Sequence, residues 1–391
     1  MTLLALLLLA VSQPLTLAEA QARAERGSAD LKATRLGEQV AQASVQSAGQ
    51  LANPTLSLSV GPDDPAVTAS LAVKLPIFGQ RGAAIAVAER ALPAAQAEIA
   101  SQRVKLHAAV RRAYFALAAA QAQVALAAES AKLARELERM AREKFNTGSA
   151  PQLEAEQAAL SLRRAVQDQA DRQTAARDAR QDLARLFGDP EAEPLASDPV
   201  LSNETLRPLA ELLEKARTHP DVRAFQAQRQ TALARANVER TAVRPLPEVS
   251  LTLERLYGGN PTPSLGVRGG VAFDLPILSW NRGKVSEAEA QAAQAEAQAQ
   301  AALLRLQSEI RASRFRAEAA LLRSRFFADD QLPAALRVEQ MARAGYQLGR
   351  AALLTVLQAQ GEVASARSKS VDAAADAQKS LADLEEATGA E

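Results

Sequence analysis

At Leu75-Pro76-Ile77-Phe78-Gly79-Gln80-Arg81-Gly82 the periodicity of the chain changes. Two short segments before it alternate apolar and polar residues, and the very long alanine-rich segment after it does not alternate at all. Side chains repeat every two residues along a strand and about every 3.6 along a helix, so a strand must end here and a helix begin. Pro76 suits the ending, because proline donates nothing to a ladder and holds its predecessor extended. Gly79 and Gly82 permit the turn into the helix. The junction recurs at Leu275-Pro276-Ile277-Leu278-Ser279-Trp280-Asn281-Arg282-Gly283, where Pro276 and Gly283 take the same parts.

The rest of the chain falls into order around these two points. A helix over 15–51, with a break near Asp30, precedes the first hairpin. In residues 54–60, Leu56, Leu58 and Val60 share one face; in 67–75, Val67, Ala69, Leu71, Val73 and Leu75 do the same. Gly61-Pro62-Asp63-Asp64-Pro65 between them is turn chemistry, which makes a hairpin. Residues 94–145 contain no glycine or proline and are rich in good helix formers. Leu106, Val110, Ala113, Leu117, Ala120, Val124, Ala127, Ala131 and Ala134 step by fours and threes, a coiled-coil seam whose alanines imply close helix approach. A helix over 83–145 would be about 95 Å long, too long for a compact domain. Phe145-Asn146-Thr147-Gly148 reverses the chain in a turn over 145–151, and 151–187 returns as a second helix. A Pro- and acid-rich linker follows over 189–204.

Then the pattern is written again. A helix over 205–243, interrupted near His219-Pro220-Asp221, leads to strands over 248–256 and 264–275. A long helix over 284–345 should kink at Pro333, and a turn over 346–352 around Gly349 leads to a return helix over 352–388. The fold class expected is mainly α with a small β part, in a duplicated β-β-α-α plan with repeats over 13–188 and 205–391.

Composition bounds the function. Lys and Arg number 46 against 45 Asp and Glu, a balance that argues against a nucleic-acid partner, which would need a basic face. Cysteine is absent, which excludes disulfides, thiolate metal sites, a cysteine nucleophile and an acyl anchor on cysteine. Aromatic residues make up only 3%, too few for a large conventional core. Residues 1–12 form a short apolar run of signal-peptide character, although no basic residue precedes it, with cleavage expected near Gln13. His107 reads as an interface or surface residue and His219 as part of a helix break, since neither sits in metal-ligand spacing. No constellation of nucleophile, acid and base is present, so neither an enzyme nor a cofactor is expected.

Two hairpins with one continuous apolar face cannot close on themselves, and open edges are aggregation-prone in water and untenable in lipid. Strands of this length with apolar residues alternating outward match an outer-membrane barrel completed by further copies. Phe78, Tyr257, Phe273 and Trp280 lie at strand ends, where an interfacial aromatic girdle would sit. The competing reading is a soluble two-hairpin sheet packed on helices, with Trp280 in the core.

The duplicated plan, the Leu-Pro-Ile-(Phe/Leu) strand exits and the Phe145-Asn146-Thr147-Gly148 and Tyr346-Gln347-Leu348-Gly349 turns resemble the TolC-like outer-membrane efflux proteins. The resemblance spans nearly the whole chain, and the exit Asn281-Arg282-Gly283-Lys284 is most similar to the branch serving heavy-metal resistance-nodulation-division pumps. It implies a homotrimer with four strands per chain in a shared transmembrane barrel, and long helices forming an α-helical tunnel. The implied partners are a periplasmic adaptor, an inner-membrane pump of that type and outer-membrane lipid. By the same resemblance Phe145, Thr147, Gly148, Ser149, Tyr346, Leu348, Gly349 and Arg350 form an adaptor-docking periplasmic tip. Glu154 matches an acid of the family's closing network, and Arg350 lies one position before the usual arginine; a Glu154–Arg350 contact within or between subunits would bias the tip shut. Thr355 and Gln358 occupy positions where relatives carry acidic entrance rings and are uncharged. The implied function is an exit duct, for metal cations, drugs or a secreted peptide. A periplasmic coiled-coil scaffold or adaptor is the alternative, and the duplicated alternating hairpins discriminate against it.

Overall fold

The computed structural model describes residues 14–61, 65, 67–198, 205–256, 264–275 and 279–389. The segment 1–12 expected as a signal peptide, Tyr257, Pro276 and the end of the linker lie outside the described residues. In chain order the elements are β1 (Pro14–Leu15), α1 (Leu17–Gly27), α2 (Ala29–Ala48), β2 (Thr55–Val60), β3 (Val67–Lys74), α3 (Gln80–Asn146), α4 (Gln152–Leu186) and β4 (Leu195–Ala196). They continue as α5 (Leu209–Arg217), α6 (Pro220–Ala242), β5 (Glu248–Leu256), β6 (Ser264–Ala272), α7 (Arg282–Arg325), a π-helical turn (Phe326–Gln331), α8 (Leu332–Gln347) and α9 (Leu353–Thr388).

Most boundaries follow from local chemistry. Thr16 and Glu19 close a capping box at the start of α1, and the break expected near Asp30 falls at Ser28, whose hydroxyl accepts the Leu31 N–H at 3.3 Å as α2 begins. His219 caps α6 through its ring, accepting the Asp221 N–H at 3.2 Å, with Pro220 as the first helical residue. Pro93 does not interrupt α3. Pro333 does disturb its helix, one turn upstream: the π-helical turn includes Asp329, whose carbonyl would otherwise receive the N–H that Pro333 lacks. β6 ends at Ala272, short of the expected 275, because its partner β5 begins only at Glu248, behind Pro245 and Pro247.

The chain divides into two compact units, each built from pieces of both sequence repeats. One unit comprises residues 33–101 and 219–304. It holds a four-stranded antiparallel sheet in the order β2-β3-β5-β6, in which Leu56 pairs Leu71, Leu71 pairs Leu251 and Leu251 pairs Gly269. Helix α6 contacts the start of α3 there, Thr231 donating to the Arg90 carbonyl at 2.9 Å and Ser101 bonding Asp221 at 2.6 Å.

The other unit comprises residues 1–32, 102–218 and 305–391. All nine seam residues on α3 are buried or half-buried there. Across the seam, polar side chains tie α3 to α9: Arg112 to Asp383 at 2.6 Å and Glu386 at 2.8 Å, Gln123 to Asp372 at 2.9 Å, and Arg367 to Glu129 at 2.7 Å. Buried Arg111 bonds Glu385 and reaches Gln378 at 2.7 Å. His107 is half-buried with Nε2 2.7 Å from Glu25, so it joins α3 to α1.

The segment expected to be a plain linker carries β4, which pairs in parallel with β1. Tyr114 holds this small sheet on α3. Its fully buried hydroxyl donates to the Leu15 carbonyl at 2.7 Å and accepts the Ser197 and Asp198 N–H groups at 3.1 and 3.0 Å. Burial pushes the Tyr114 phenol above its ordinary pKa, keeping it a neutral donor. Beside it, α1 and the end of α4 meet backbone to backbone at Gly27 and Gly188.

Candidate functional site

The sheet register sorts the strands into two unlike faces. On one lie Leu56, Leu58 and Val60 of β2, Val67, Leu71 and Val73 of β3, Val249, Leu251 and Leu253 of β5, and Leu265, Val267 and Val271 of β6. Leu58, Val60, Leu265 and Val267 expose two-thirds or more of their surface (67–80%), so nothing among the described residues covers this face. The opposite face is polar: Thr252 bonds Ser70 at 3.0 Å, and Arg268 pairs at 3.0 Å with Glu254, which is buried. The outermost strands, β2 and β6, each have a neighbour on one side only. An apolar face this large and uncovered marks an interface with another apolar phase.

Both strand exits turn into helices through a left-handed residue immediately before the first helical position. Gly79 has φ +93° before Gln80, and Asn281 has φ +50° before Arg282. Asparagine is among the few side chains that tolerate this region. Gly82 and Gly283 therefore do not make the turns; both lie inside helices without left-handed geometry. Each exit is latched to the end of α6. Arg244 donates to the Phe78 carbonyl at 2.8 Å, and Asn281 bonds Glu239 at 3.2 Å. Phe78, Phe273 and Trp280 are 42%, 54% and 63% exposed beyond the strand ends, which removes Trp280 from the core.

In the other unit, the two helix reversals are built alike. Gly148 and Gly349 have φ +71° and +70°. At the first, Gly148 N–H reaches the Phe145 carbonyl at 2.9 Å and Ser149 N–H the Lys144 carbonyl at 2.8 Å. At the second, Gly349 reaches Tyr346 at 3.1 Å and Arg350 reaches Gly345 at 2.8 Å. This Schellman pairing satisfies carbonyls that a helix end otherwise leaves open. Thr147 adds hydroxyl bonds to the Glu143 and Lys144 carbonyls.

Around these turns the expected tip residues separate into two groups. Phe145, Leu348 and Arg350 are exposed. Tyr346 is not: it packs with Leu137, Ala141, Ala158, Leu353, Val356 and Ala359, with the Lys144 ammonium 3.8 Å from its ring centre. It holds the reversal together and presents little surface to a partner. Glu154 lies half-buried in the first turn of α4, where the helix dipole favours an acid, and makes no ion pair with Arg350 within the chain. Thr355 and Gln358 are exposed on α9, beside its buried Val356 and Ala359.

The profile of the family described as outer membrane efflux protein matches residues 20–189 and 212–390. The cobalt-zinc-cadmium resistance protein CzcC of Cupriavidus metallidurans is 26% identical over 358 residues, which cover 90% of this chain and 85% of CzcC. Among solved structures, CusC superposes with a TM-score of 0.78 at 19% identity, over 96% of this chain and 92% of CusC. The outer membrane protein VceC from Vibrio cholerae superposes with a TM-score of 0.74 at 19% identity, over 95% and 96% of the two chains. The fold is thus that of the TolC-like channels, mainly helical with a small sheet. Members of such a family are ducts and not enzymes; they reside in the outer membrane with a periplasmic extension, as trimers that work with an adaptor and an inner-membrane pump. With both halves of the sequence matched, the chain belongs to the outer membrane efflux protein family and serves as the outer-membrane exit duct of an efflux system.

Proposed function

We propose that three copies close β2 of one chain onto β6 of the next, with the leucine- and valine-rich face against outer-membrane lipid and the Ser70, Thr252 and Arg268 face towards the channel. The observation that carries this reading is the uncovered apolar face shared by all four strands of a sheet with two open edges. At the two helix reversals, Phe145, Thr147, Gly148, Ser149, Leu348, Gly349 and Arg350 form the surface offered to the adaptor, supported from within by Tyr346. Glu154 and Arg350, unpaired with each other inside one chain, pair between neighbouring copies and hold the tip closed. Such a contact near solvent contributes about 1 kcal/mol, and a ring of three adds up. In planar bilayers the wild-type protein is expected to conduct little at rest and Arg350→Ala severalfold more; unchanged resting current rejects the pairing.

The cargo proposed is a heavy-metal cation delivered by a resistance-nodulation-division pump. The likeness to CzcC and the Asn281-Arg282-Gly283-Lys284 exit support it. Cells lacking this chain should lose tolerance to cobalt, zinc or cadmium severalfold and regain it on complementation. Unchanged metal tolerance with lowered drug tolerance would instead make the protein a drug-efflux duct.

A further inference from the structure

Between the apolar sheet face and the polar helices lies a narrow level of the molecule whose charges are unevenly committed. Lys74 pairs with Glu248 at 3.9 Å, Lys284 approaches Glu239 at 4.0 Å, and Arg244 is held by the Phe78 carbonyl. Arg81 and Arg282 are different. Each is exposed in the first turn of a helix that follows a strand exit, and among the described residues neither has an ion-pair partner. Asp274 is exposed here too and has no ion-pair partner among the described residues, but it has the strand parity of Arg268 and so belongs to the polar face.

Both arginines follow an exposed aromatic at short range: Phe78 then Arg81, Trp280 then Arg282. Ahead of these stand exposed Ile77 and Leu275, which continue the apolar face. At both exits the order is the same: aliphatic, aromatic, unpaired guanidinium. A membrane leaflet has the same order: acyl chains, interface, headgroup phosphate. Guanidinium binds phosphate with fork geometry.

We infer that Arg81 and Arg282 bind the headgroups of anionic phospholipid in the leaflet that meets the strand exits, so that each trimer carries a lipid-selective collar. The inference rests on the barrel reading above and adds a preference for one lipid class, which a hydrophobic face alone would not produce. It is the charge complementarity of two uncommitted cations, continuous with the apolar face, that selects an anionic lipid over a neutral one.

The chain carries a single tryptophan, and Trp280 sits in this collar. It is a built-in probe. The detergent-purified trimer is reconstituted into phosphatidylcholine vesicles containing a minor fraction of brominated phosphatidylglycerol or of brominated phosphatidylcholine, and Trp280 quenching is compared. Stronger quenching by the anionic lipid is expected, with the preference falling about fivefold for each arginine removed in Arg81→Gln and Arg282→Gln. Arg81→Lys with Arg282→Lys should keep most of it. Equal quenching by both lipids, or a preference unchanged in the glutamine variants, overturns the inference and leaves the barrel intact. Loss of the preference on adding inorganic phosphate would assign the site to the free anion and also overturns it. Quenching by neither lipid would remove the lipid-facing barrel and the collar together.

Discussion

Leu251→Arg is expected to remove the protein from the outer membrane as an assembled trimer. Leu251 lies mid-strand in β5, paired to Leu71 on one side and Gly269 on the other, on the apolar face and 52% exposed in the single chain. An arginine on the lipid face near the bilayer midplane costs about 2–4 kcal/mol, and three copies in one barrel multiply that. Gly269 opposite offers no side chain to shield the charge. Ser57→Arg provides the comparison, because Ser57 pairs with Ser70 on the polar face, where an arginine already sits at 268. Electrophoresis of unheated outer-membrane fractions reads the outcome: trimers retained for Ser57→Arg and missing for Leu251→Arg. Trimers of Leu251→Arg at wild-type amounts would mean the face does not meet lipid.

Gly27→Ala is expected to be the most damaging conservative change in the helical unit. A Cβ on Gly27 would stand 1.8 Å from the Phe187 carbonyl oxygen, and one on Gly188 would stand 2.3 Å from the Gly27 oxygen. Both obstacles are backbone, so no rotamer change relieves them. The helices must separate, which loosens the packing of Ala20 and Ala24 against Leu183 and Phe187 and strains the Arg23–Asp189 pair. Overpacking of this kind costs about 3 kcal/mol. Gly188→Ala adds left-handed strain, since Gly188 has φ +67°. The two changes strike one contact and should not be additive. Gly37→Ala is the control: it sits inside α2 with nothing within 4 Å of a new Cβ and should stabilise by up to about 1 kcal/mol. Thermal melts of the detergent-solubilised trimer decide; a Gly27→Ala midpoint equal to that of wild type would discount the contact.

Features whose cause is local were readable in advance. The change of period at Pro76 marks the strand exit because alternation and helical repeat are properties of neighbouring residues. Gly148 and Gly349 announced reversals because only a residue at home at φ near +70° completes the Schellman pairing. Pro333 announced a distortion because its missing N–H frees one carbonyl in the turn before. The seam from Leu106 to Ala134 was legible because its spacing alone turns it to one side.

Features whose cause is distant were not. Gly27 carries no mark in its own neighbourhood; its need for no side chain comes from Phe187 and Gly188. Tyr114 looked like one more helix residue until Leu15, Ser197 and Asp198 converged on its hydroxyl. Tyr346 read as surface because it belongs to a turn expected at the tip, yet the packing of α3, α8 and α9 closes over it. Asn281 was overshadowed by Gly283, since which residue takes the left-handed position depends on where the helix is latched to α6.

The sequence by itself determined that there are four strands with an apolar and a polar face, that each pair leads into long helices, and that the plan occurs twice. It could not choose how the two hairpins join. A slip of two residues between β3 and β5 keeps every side chain on its face, so periodicity is blind to it. The pairing of Leu71 with Leu251, and the division into units that mix both repeats, were decided only when the whole chain packed. Register and long-range contact depend on pairs of residues far apart, whereas pattern depends on neighbours.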